Sequence, residues 1–317
     1  MTHCFGPEGL LEKTKENKEA LASLSGLERA RREGQILEAP VLLCDNQMRL
    51  HVDLGVMRGI IPREEAVYCR NGESIKDIAI ITRVGKTVAF KILQFIEENG
   101  ERIALLSRRE VQRDCVINFL STLTPGDIIP ARVTHLENYG AFLDIGCGVA
   151  SLLSIDCISV SRITHPRDRL RCGMMIYVAV KSIDKALDRI FVTLKELLGT
   201  WEENVARFEA GQTVVGRVRS IESYGIFVEL APNLAGLAEL RGNGNAPIRC
   251  SVGDTAAVYI KSILPERMKI KLVIIDAYPS NDPPEPLQYY VNPQKASHIS
   301  YWEYSPAIST RLVETVF

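Results

Sequence analysis

The stretch NYGAFLDIGCG (residues 138–148) recurs, with few changes, as SYGIFVELAPN (residues 223–233). Each copy has a tyrosine, a glycine, one apolar residue and a phenylalanine, followed by an alternating apolar run. The similarity extends on both sides, because PGDIIPARVTHLENYGAFLDIGCGVASLLSI (residues 125–155) aligns without a gap with AGQTVVGRVRSIESYGIFVELAPNLAGLAEL (residues 210–240). A repeat of this length indicates two copies of one structural unit.

Each copy is predicted to contain five short strands. In the first copy they are DIIPARVTHL, YGAFLDI, ASLLSI, MIYVAVKSID and RIFVTLK. Five short strands within one repeat favour a small antiparallel barrel. No long helical pattern lies between these strands, which argues against a parallel sheet of βαβ units.

A third and weaker copy precedes these two. Its segments GQILEAPVLLCDNQMRLHVDLGVMRGIIPREE and ITRVGKTVAFKILQFIEENGERIALLSRRE have the apolar-glycine-apolar pattern and the final strand pair of the other copies. The aromatic pair is absent, since MRLH (residues 48–51) stands where YGAF is expected. We therefore predict three tandem barrels, the first without the repeated motif.

The motifs PGDIIPARV…YGAFLDIGCGVASLL…CGMMIYVAVKSID…DRIFVTL and AGQTVVGRV…YGIFVEL…AGLAEL…VGDTAAVYIKSI…MKIKL resemble the S1 RNA-binding domain, which is repeated in the small-subunit ribosomal protein family of that name. The resemblance covers roughly residues 34–275, and the whole chain resembles the short forms with about three repeats. It implies a mainly β fold of tandem five-stranded OB-fold barrels, with a helical N-terminal segment and helical linkers.

The chain departs from the family pattern at one binding position. The histidine that the family carries on the third strand is replaced by Ser154 in the second unit and by Glu239 in the third. A carboxylate on the binding face repels phosphate, so Glu239 weakens the expectation for the third unit. The first unit resembles the degenerate repeats of the family, which dock onto protein.

The repeated aromatics are the first candidates for RNA binding, because flat rings stack on the bases of a single strand. A spacing of three places the tyrosine and phenylalanine on opposite faces of a regular strand. We expect Gly140 and Gly225 to allow a bulge that brings both rings to one side.

Basic residues that flank a buried apolar residue are the second group of candidates, because alternation turns both neighbours outward. Arg217 and Arg219 flank Val218 in this way, and Lys269 and Lys271 flank Ile270. The complete predicted RNA-binding set is Arg132, Tyr139, Phe142, Tyr177 and Lys181 in the second unit and Arg217, Arg219, Tyr224, Phe227, Tyr259, Lys261, Lys269 and Lys271 in the third.

The chain ends and linkers complete the predicted organisation. Residues 8–33 indicate one or two charged helices, expected to be solvated, with docking onto a partner or the first barrel as the alternative. Trp201, Val205 and Phe208 are spaced to brace the barrels from a linker helix, and residues 298–317 are expected to form a hairpin on the last barrel. The predicted segments are a helical extension (1–35), a degenerate barrel (36–112), two further barrels (120–200 and 205–276) and a proline-rich, aromatic tail (277–317).

Composition limits the function classes. The 317-residue chain is 46% hydrophobic and 24% charged, with a formal net charge of −1, which argues against a strongly basic nucleic-acid binder. The third unit carries nine basic against seven acidic residues, the second nine against eight and the first eleven of each. This small gradient favours RNA on the second and third units.

Other sequence signals are absent. The eight cysteines form no CxxC pair, so we expect free thiols. No P-loop, nuclease-type carboxylate cluster or metal motif is present, and we expect no catalysis, no cofactor and no metal. No signal peptide or membrane span is expected, which favours the cytoplasm.

Three functions stay open at this point. The first is a non-catalytic protein that binds single-stranded RNA or mRNA and acts with the small ribosomal subunit in translation, contacting it through the first barrel or the N-terminal helix. The second is an RNA-binding accessory subunit of an RNA-processing or RNA-degrading complex. The third is a protein-interaction scaffold whose barrels no longer bind RNA, which the near-neutral charge, Ser154 and Glu239 favour.

Overall fold

The computed structural model describes residues 5–69, 74–98, 100–186, 189–239, 250–279 and 286–317. The chain separates into two compact units. The first unit is Met1–Leu123 with Pro130–Arg132 and Asp144–Ala150, and the second is Thr124–Ile129, Val133–Leu143 and Ser151–Phe317. The boundaries of the five predicted segments stay predictions.

The N-terminal segment forms two short helices, α1 (Lys15–Leu21) and α2 (Leu24–Glu33). Ser23 caps α2, since its hydroxyl accepts the N–H of Gly26 at 3.0 Å, and Gly34 ends the helix in a left-handed conformation with φ of 62°. Leu27 and Ala30 lie in the apolar core of the first barrel. The expectation of a solvated helical segment is therefore wrong, because small and apolar residues of the helices are buried against the barrel.

Glu38 fastens the segment before α1 to the first strand of the barrel. Its Oε2 accepts the N–H groups of Leu11 at 2.8 Å and Glu12 at 2.9 Å. Asn17 adds a two-way contact, because its side chain donates to the Glu38 carbonyl and accepts the Glu38 N–H, each at 2.9 Å. Burial raises the pKa of Glu38 to about 7.

The first barrel is closed and has five strands. Leu37, Phe90, Ile61 and Leu106 are among the residues that fill it. Its elements are β1 (Leu37–Cys44), β2 (Leu50–Asp53), β3 (Arg58–Ile61), a 3₁₀ turn (Arg63–Glu65), α3 (Asp77–Ile81), β4 (Thr87–Glu98) and β5 (Glu101–Ser107). Ser107 then caps a longer helix, α4 (Arg108–Asn118), by accepting the N–H of Glu110 at 2.9 Å.

The second barrel is also closed. One 3₁₀ turn (Leu120–Thr122) precedes its strands, and another (Lys195–Leu198) follows them. Two more, Ile155–Cys157 and Pro166–Asp168, lie between its third and fourth strands. Its strands are β6 (Ile128–Glu137), β7 (Gly140–Asp144), β8 (Ala150–Ser154), β9 (Met175–Asp184) and β10 (Arg189–Thr193).

The third barrel follows the linker helix α5 (Trp201–Val205), which begins with a capping box of Thr200 and Glu203. Trp201 lies in the core of this barrel, and Val205 and Phe208 pack against it, although Phe208 lies beyond the end of α5 and not on the helix as predicted. Its elements are β11 (Thr213–Glu222), β12 (Gly225–Ala231), β13 (Leu234–Ala238), β14 (Thr255–Leu264), a 3₁₀ turn (Pro265–Arg267) and β15 (Lys269–Tyr278).

All three barrels have one strand order. In each, the first strand pairs with the second, the second with the third, the third with the fifth, and the fifth with the fourth, which closes on the first. The contact between the third and fifth strands is parallel in every case. The predicted fold class of tandem five-stranded OB-type barrels is confirmed, including the first barrel, which lacks the aromatic motif.

The C-terminal tail adds a hairpin of β16 (Tyr301–Glu303) and β17 (Glu314–Val316). Trp302 and Tyr304 belong to the same apolar cluster as the core of the third barrel. The hairpin predicted for the end of the chain is confirmed. Among the described helices, none is long and apolar enough to cross a membrane.

Candidate nucleic-acid interface

The repeated motif lies at the hairpin between the first two strands of the second and third barrels. Tyr139 and Tyr224 occupy two-residue turns, before Gly140 and Gly225 begin the next strand. The two tyrosines are 56% and 66% exposed, whereas the phenylalanine of each motif is half-buried. This exposure leaves each tyrosine ring accessible to a ligand.

Each exposed tyrosine stands beside the phenylalanine of its own motif. The ring centroids of Tyr139 and Phe142 are 6.2 Å apart at an interplanar angle of 88°, and those of Tyr224 and Phe227 are 6.1 Å apart at 88°. Edge-to-face contacts of this kind are favourable and hold the rings in a fixed orientation. The same two-ring arrangement therefore occurs twice in the chain.

Gly225 does not act through a bulge, so that expectation is wrong for the third barrel. In the third barrel the pairing from Gly225 to Phe227 is regular, and the register shifts between Val218 and Ser220 on the preceding strand. The tyrosine reaches the side of the phenylalanine because it lies in the turn. A Cβ on Gly225 would lie 2.7 Å from the Ala238 carbonyl oxygen, so glycine permits the close approach of β13.

Gly140 has the same role in the second barrel. A Cβ at this position would lie 2.4 Å from the Leu153 carbonyl oxygen, which belongs to β8. No rearrangement of a flexible side chain can relieve a contact with backbone. The repeated glycine is thus explained by the spacing of the second and third strands.

The outward orientation predicted for Arg219 is wrong. The register shift at this position turns its side chain inward, and the residue is only 8% exposed. Its Nε and Nη2 donate to Glu229 at 2.9 and 3.0 Å, and its Nη1 lies 3.3 Å from Asp168. Alternation fails here because a bulge adds one residue to the strand.

A second guanidinium shares the same carboxylate. Arg169, which is 4% exposed, donates from Nη2 to Glu229 and, at 3.2 Å, to the Pro232 carbonyl. Burial lowers the pKa of Arg169, although the nearby carboxylate opposes this effect. Arg169 follows the 3₁₀ turn of the second barrel and Glu229 lies on β12, so this cluster joins the second barrel to the third.

The predicted basic residues of the second unit occupy separate environments. Arg132 is half-buried and donates from Nη1 to the Glu8 carbonyl at 2.7 Å. Lys181 is exposed and lies 3.0 Å from the Cys157 sulfur, a hydrogen bond that raises the pKa of Lys181. The ring of Tyr177 meets that of Tyr289 edge-to-face. The structure therefore does not gather these three residues around the Tyr139 ring pair.

The third barrel gathers only some of its predicted residues. Tyr224, Phe227 and Lys269 line one cleft with a volume of about 1060 Å³. Tyr259 and Lys271 are exposed but do not line it, and Lys261 lies 3.8 Å from Glu239. Arg217 is half-buried, with Nη1 3.5 Å from the Gly253 carbonyl.

Residues outside the predicted set also belong to these surfaces. His135 stacks on Phe142, with ring centroids 6.5 Å apart at 29°, and its Nε2 lies 2.7 Å from Glu137. The third-strand position of the family histidine holds Ser154, yet β6 supplies an imidazole beside the same ring pair. Alternation from the buried Val133 predicts that His135 faces inward, whereas His135 is exposed, and no repeat in the third unit marked it.

Four further basic residues line the cleft of the third barrel. They are Arg162, Lys195, Arg267 and Arg311. These residues come from distant parts of the sequence, so no local pattern could have brought them together. Within the described residues, no group of histidine, cysteine and carboxylate side chains is arranged to hold a metal ion, and the seven described cysteines are free thiols.

The fold defines a protein of tandem OB-type barrels, and paired aromatic rings on such barrels are the kind of surface that stacks on nucleic-acid bases. Residues 122–195 match the S1 RNA binding domain family. The predicted resemblance to S1-domain ribosomal proteins is confirmed, and the matched residues contain the second barrel.

The comparison with curated proteins gives the same result over a longer range. The chain is 30% identical over 243 residues to small ribosomal subunit protein bS1 of Staphylococcus haemolyticus, covering 74% of this chain and 59% of that protein. It is 29% identical over 252 residues to the bS1 homolog of Bacillus cereus, covering 76% and 63%. The chain thus spans less than two thirds of the length of these relatives.

Solved structures are more distant. A multidomain protein with nucleic acid binding domains from Streptococcus pneumoniae is 15% identical, with a TM-score of 0.23 over 76% of this chain and 73% of that one. A score this low supports no argument about this chain.

Proposed function

We propose that the protein binds single-stranded RNA through its second and third barrels and acts with the small ribosomal subunit in translation, without itself catalysing a reaction. The observation that carries this proposal is the exposed tyrosine beside a phenylalanine at the same position of two barrels. Stacking on such rings is tolerant of base identity, which suits a protein that handles many messages.

The first barrel is proposed to have a different role from the second and third. It has the strand order of the others but lacks the ring pair, so it is proposed to contact protein. Its surface exposes Leu42, Leu43 and Ile78, whereas the N-terminal helices direct Leu27 and Ala30 into its core. The barrel surface is therefore favoured over the N-terminal helices as the contact with the ribosome. Such an association would place the protein in the cytoplasm.

The test of RNA binding uses both tyrosines. Fluorescence anisotropy with a labelled mixed-sequence RNA thirty-mer measures the affinity of the wild type and of the double variant Tyr139→Ala, Tyr224→Ala. Each lost stacking contact costs about 1–3 kcal/mol, so the double variant should bind at least tenfold more weakly. Tyr278→Ala, which removes a tyrosine that is 50% exposed and lies outside both ring pairs, is the control.

Absence of RNA binding by the wild type at low salt would refute the proposed mechanism and favour the scaffold function. Sedimentation with small ribosomal subunits then separates the ribosomal role from that of an accessory subunit. Co-sedimentation that survives nuclease treatment supports a protein contact with the subunit. If the protein is instead recovered with a nuclease complex and not with the small subunit, the role in translation is contradicted.

A further inference from the structure

The cleft beside Tyr224 is built from three parts of the second unit. Its aromatic side is the ring pair of the third barrel, Tyr224 and Phe227. The chain that follows β8 contributes Arg162 from the second barrel, and the segment between the two strands of the C-terminal hairpin contributes Arg311. The volume of the cleft is about 1060 Å³.

The cleft is strongly basic although the whole chain is near neutral. Its basic lining residues are Arg162, Lys195, Arg267, Lys269 and Arg311, and its acidic lining residue is Asp156. The Ser154 hydroxyl, which hydrogen-bonds to Asp156, lowers the pKa of that carboxyl, and the charge of Lys195 acts in the same direction. The excess positive charge attracts a polyanion.

The arginines of the cleft are available to a ligand. Arg162, Arg267 and Arg311 are exposed, and within the described part of the chain none of them lies in an ion pair. Elsewhere in the same unit, Arg169 and Arg219 are buried against carboxylates. The contrast separates arginines that stabilise the fold from arginines that face the cleft.

A buried asparagine holds the parts of the cleft together. Asn233, which follows β12, is fully buried, and its Oδ1 accepts the N–H of Val160 at 2.9 Å. Its Nδ2 donates to the carbonyl of Lys195 at 2.8 Å, and its own carbonyl accepts the Tyr304 hydroxyl. Segments next to Arg162, Lys195 and the hairpin are thus fixed to the third barrel before any ligand binds.

The segment that carries Arg311 is held in the same way. The Ser305 hydroxyl donates to the Arg311 carbonyl at 2.8 Å, and the N–H of Thr310 donates to the Glu266 carbonyl at 3.0 Å. Arg311 is therefore positioned beside the 3₁₀ turn that supplies Arg267. A preorganised site loses less entropy on binding than a mobile one.

We propose that single-stranded RNA stacked on Tyr224 continues through this cleft, with its phosphates held by Arg162 of the second barrel and by Arg267 and Arg311. The inference rests on the proposed RNA-binding function and adds a composite site to which two barrels and the C-terminal hairpin contribute. Exposed rings among the cations favour RNA over an acidic protein, and a single strand over a duplex, whose base faces are covered.

The test compares two double variants with the same loss of charge. Arg162→Gln with Arg311→Gln removes two cations of the cleft, while Arg167→Gln with Arg171→Gln removes two exposed cations outside it. Both variants and the wild type are titrated with the labelled RNA thirty-mer between 0.05 and 0.5 M salt. Circular dichroism verifies that each variant is folded.

Each phosphate contact with single-stranded RNA contributes about 0.7 to the slope of log affinity against log salt. Loss of two contacts should lower the slope by about 1.4, which corresponds to about 25-fold weaker binding at 0.1 M salt. The control variant should stay within about twofold of the wild type, because its cations lie outside the RNA path.

The outcomes separate this inference from the function on which it rests. No RNA binding by the wild type refutes the proposed function. Wild-type binding with equal behaviour of both double variants refutes the composite cleft and leaves RNA binding intact. If polyglutamate of matched length binds as tightly as the RNA and is lost in the cleft variant, the ligand is an acidic protein and the RNA assignment is overturned.

Discussion

Replacing Glu229 with glutamine should destabilise the second unit more than any surface change. Glu229 is the carboxylate that accepts hydrogen bonds from both Arg169 and Arg219, which are buried. The Glu229→Gln change keeps the shape of the side chain but removes its negative charge. Two guanidinium groups are then left in a buried site with less compensating charge.

The expected cost follows from the partners that remain. Removing one partner of a buried ion pair costs about 3–5 kcal/mol. Arg219 keeps Asp168 at 3.3 Å, whereas Arg169 keeps backbone carbonyls, so we expect about 3–4 kcal/mol. For a unit of this size, that loss lowers the melting temperature by about 10 °C.

The two tryptophans of the chain make the measurement selective. Trp201 and Trp302 both belong to the core cluster of the third barrel, so their fluorescence reports unfolding of the second unit. Urea unfolding of Glu229→Gln is compared with that of Glu209→Gln, an exposed carboxylate whose loss should change the free energy of unfolding by less than about 0.5 kcal/mol.

A second substitution tests the mechanism. Adding Arg169→Gln to Glu229→Gln removes the uncompensated cation, so the double variant should be more stable than Glu229→Gln alone. A loss below about 1 kcal/mol for Glu229→Gln would refute the reasoning. So would a double variant with strictly additive losses, because the two charges would then not interact.

Two further predictions concern the folding of single barrels. The pKa of Glu38 is higher in the folded chain, about 7, than its ordinary value of 4.5, so the folded state binds more protons between these values and loses stability as pH rises through them. As pH rises from 4.5 to 8, the free energy of unfolding of Glu38→Gln should therefore increase by about 3 kcal/mol relative to that of the wild type. Urea unfolding followed by circular dichroism measures both free energies, and a difference that stays constant with pH would contradict the prediction. Gly225→Ala should destabilise the third barrel by about 1–3 kcal/mol, because its Cβ would meet the Ala238 carbonyl at 2.7 Å, and an unchanged tryptophan-detected midpoint would contradict this.

The repeat predicted the barrels because strand period and glycine spacing are local properties of the sequence. Both survive in the first unit, where the aromatics do not, and the strand order there is the same. The packing of α2 was missed for the opposite reason. Its buried residues include Leu27 and Ala30, whereas the apolar residues Leu10 and Leu24 are exposed. Two short helices do not share one period, so the spacing of apolar residues across both does not mark the buried side.

The site was only partly predictable. Exposure of Tyr139 and Tyr224 follows from the turn at which the motif lies. The burial of Arg219 depends on a bulge, and no residue in the sequence of β11 predicts that bulge. Arg162 and Arg311 reach one cleft only through the way the second barrel, the third barrel and the hairpin pack, which strand alternation does not encode.

The shared strand order has a practical consequence for counting domains. The family match covers residues 122–195, yet the chain folds into three barrels. The first barrel has this architecture without the aromatic motif, and the third barrel has the motif, yet the matched residues include neither barrel. Surveys that search for the aromatic motif will undercount repeats in such proteins. Searches for the spacing of glycines and strands would also detect the repeats that lack this motif.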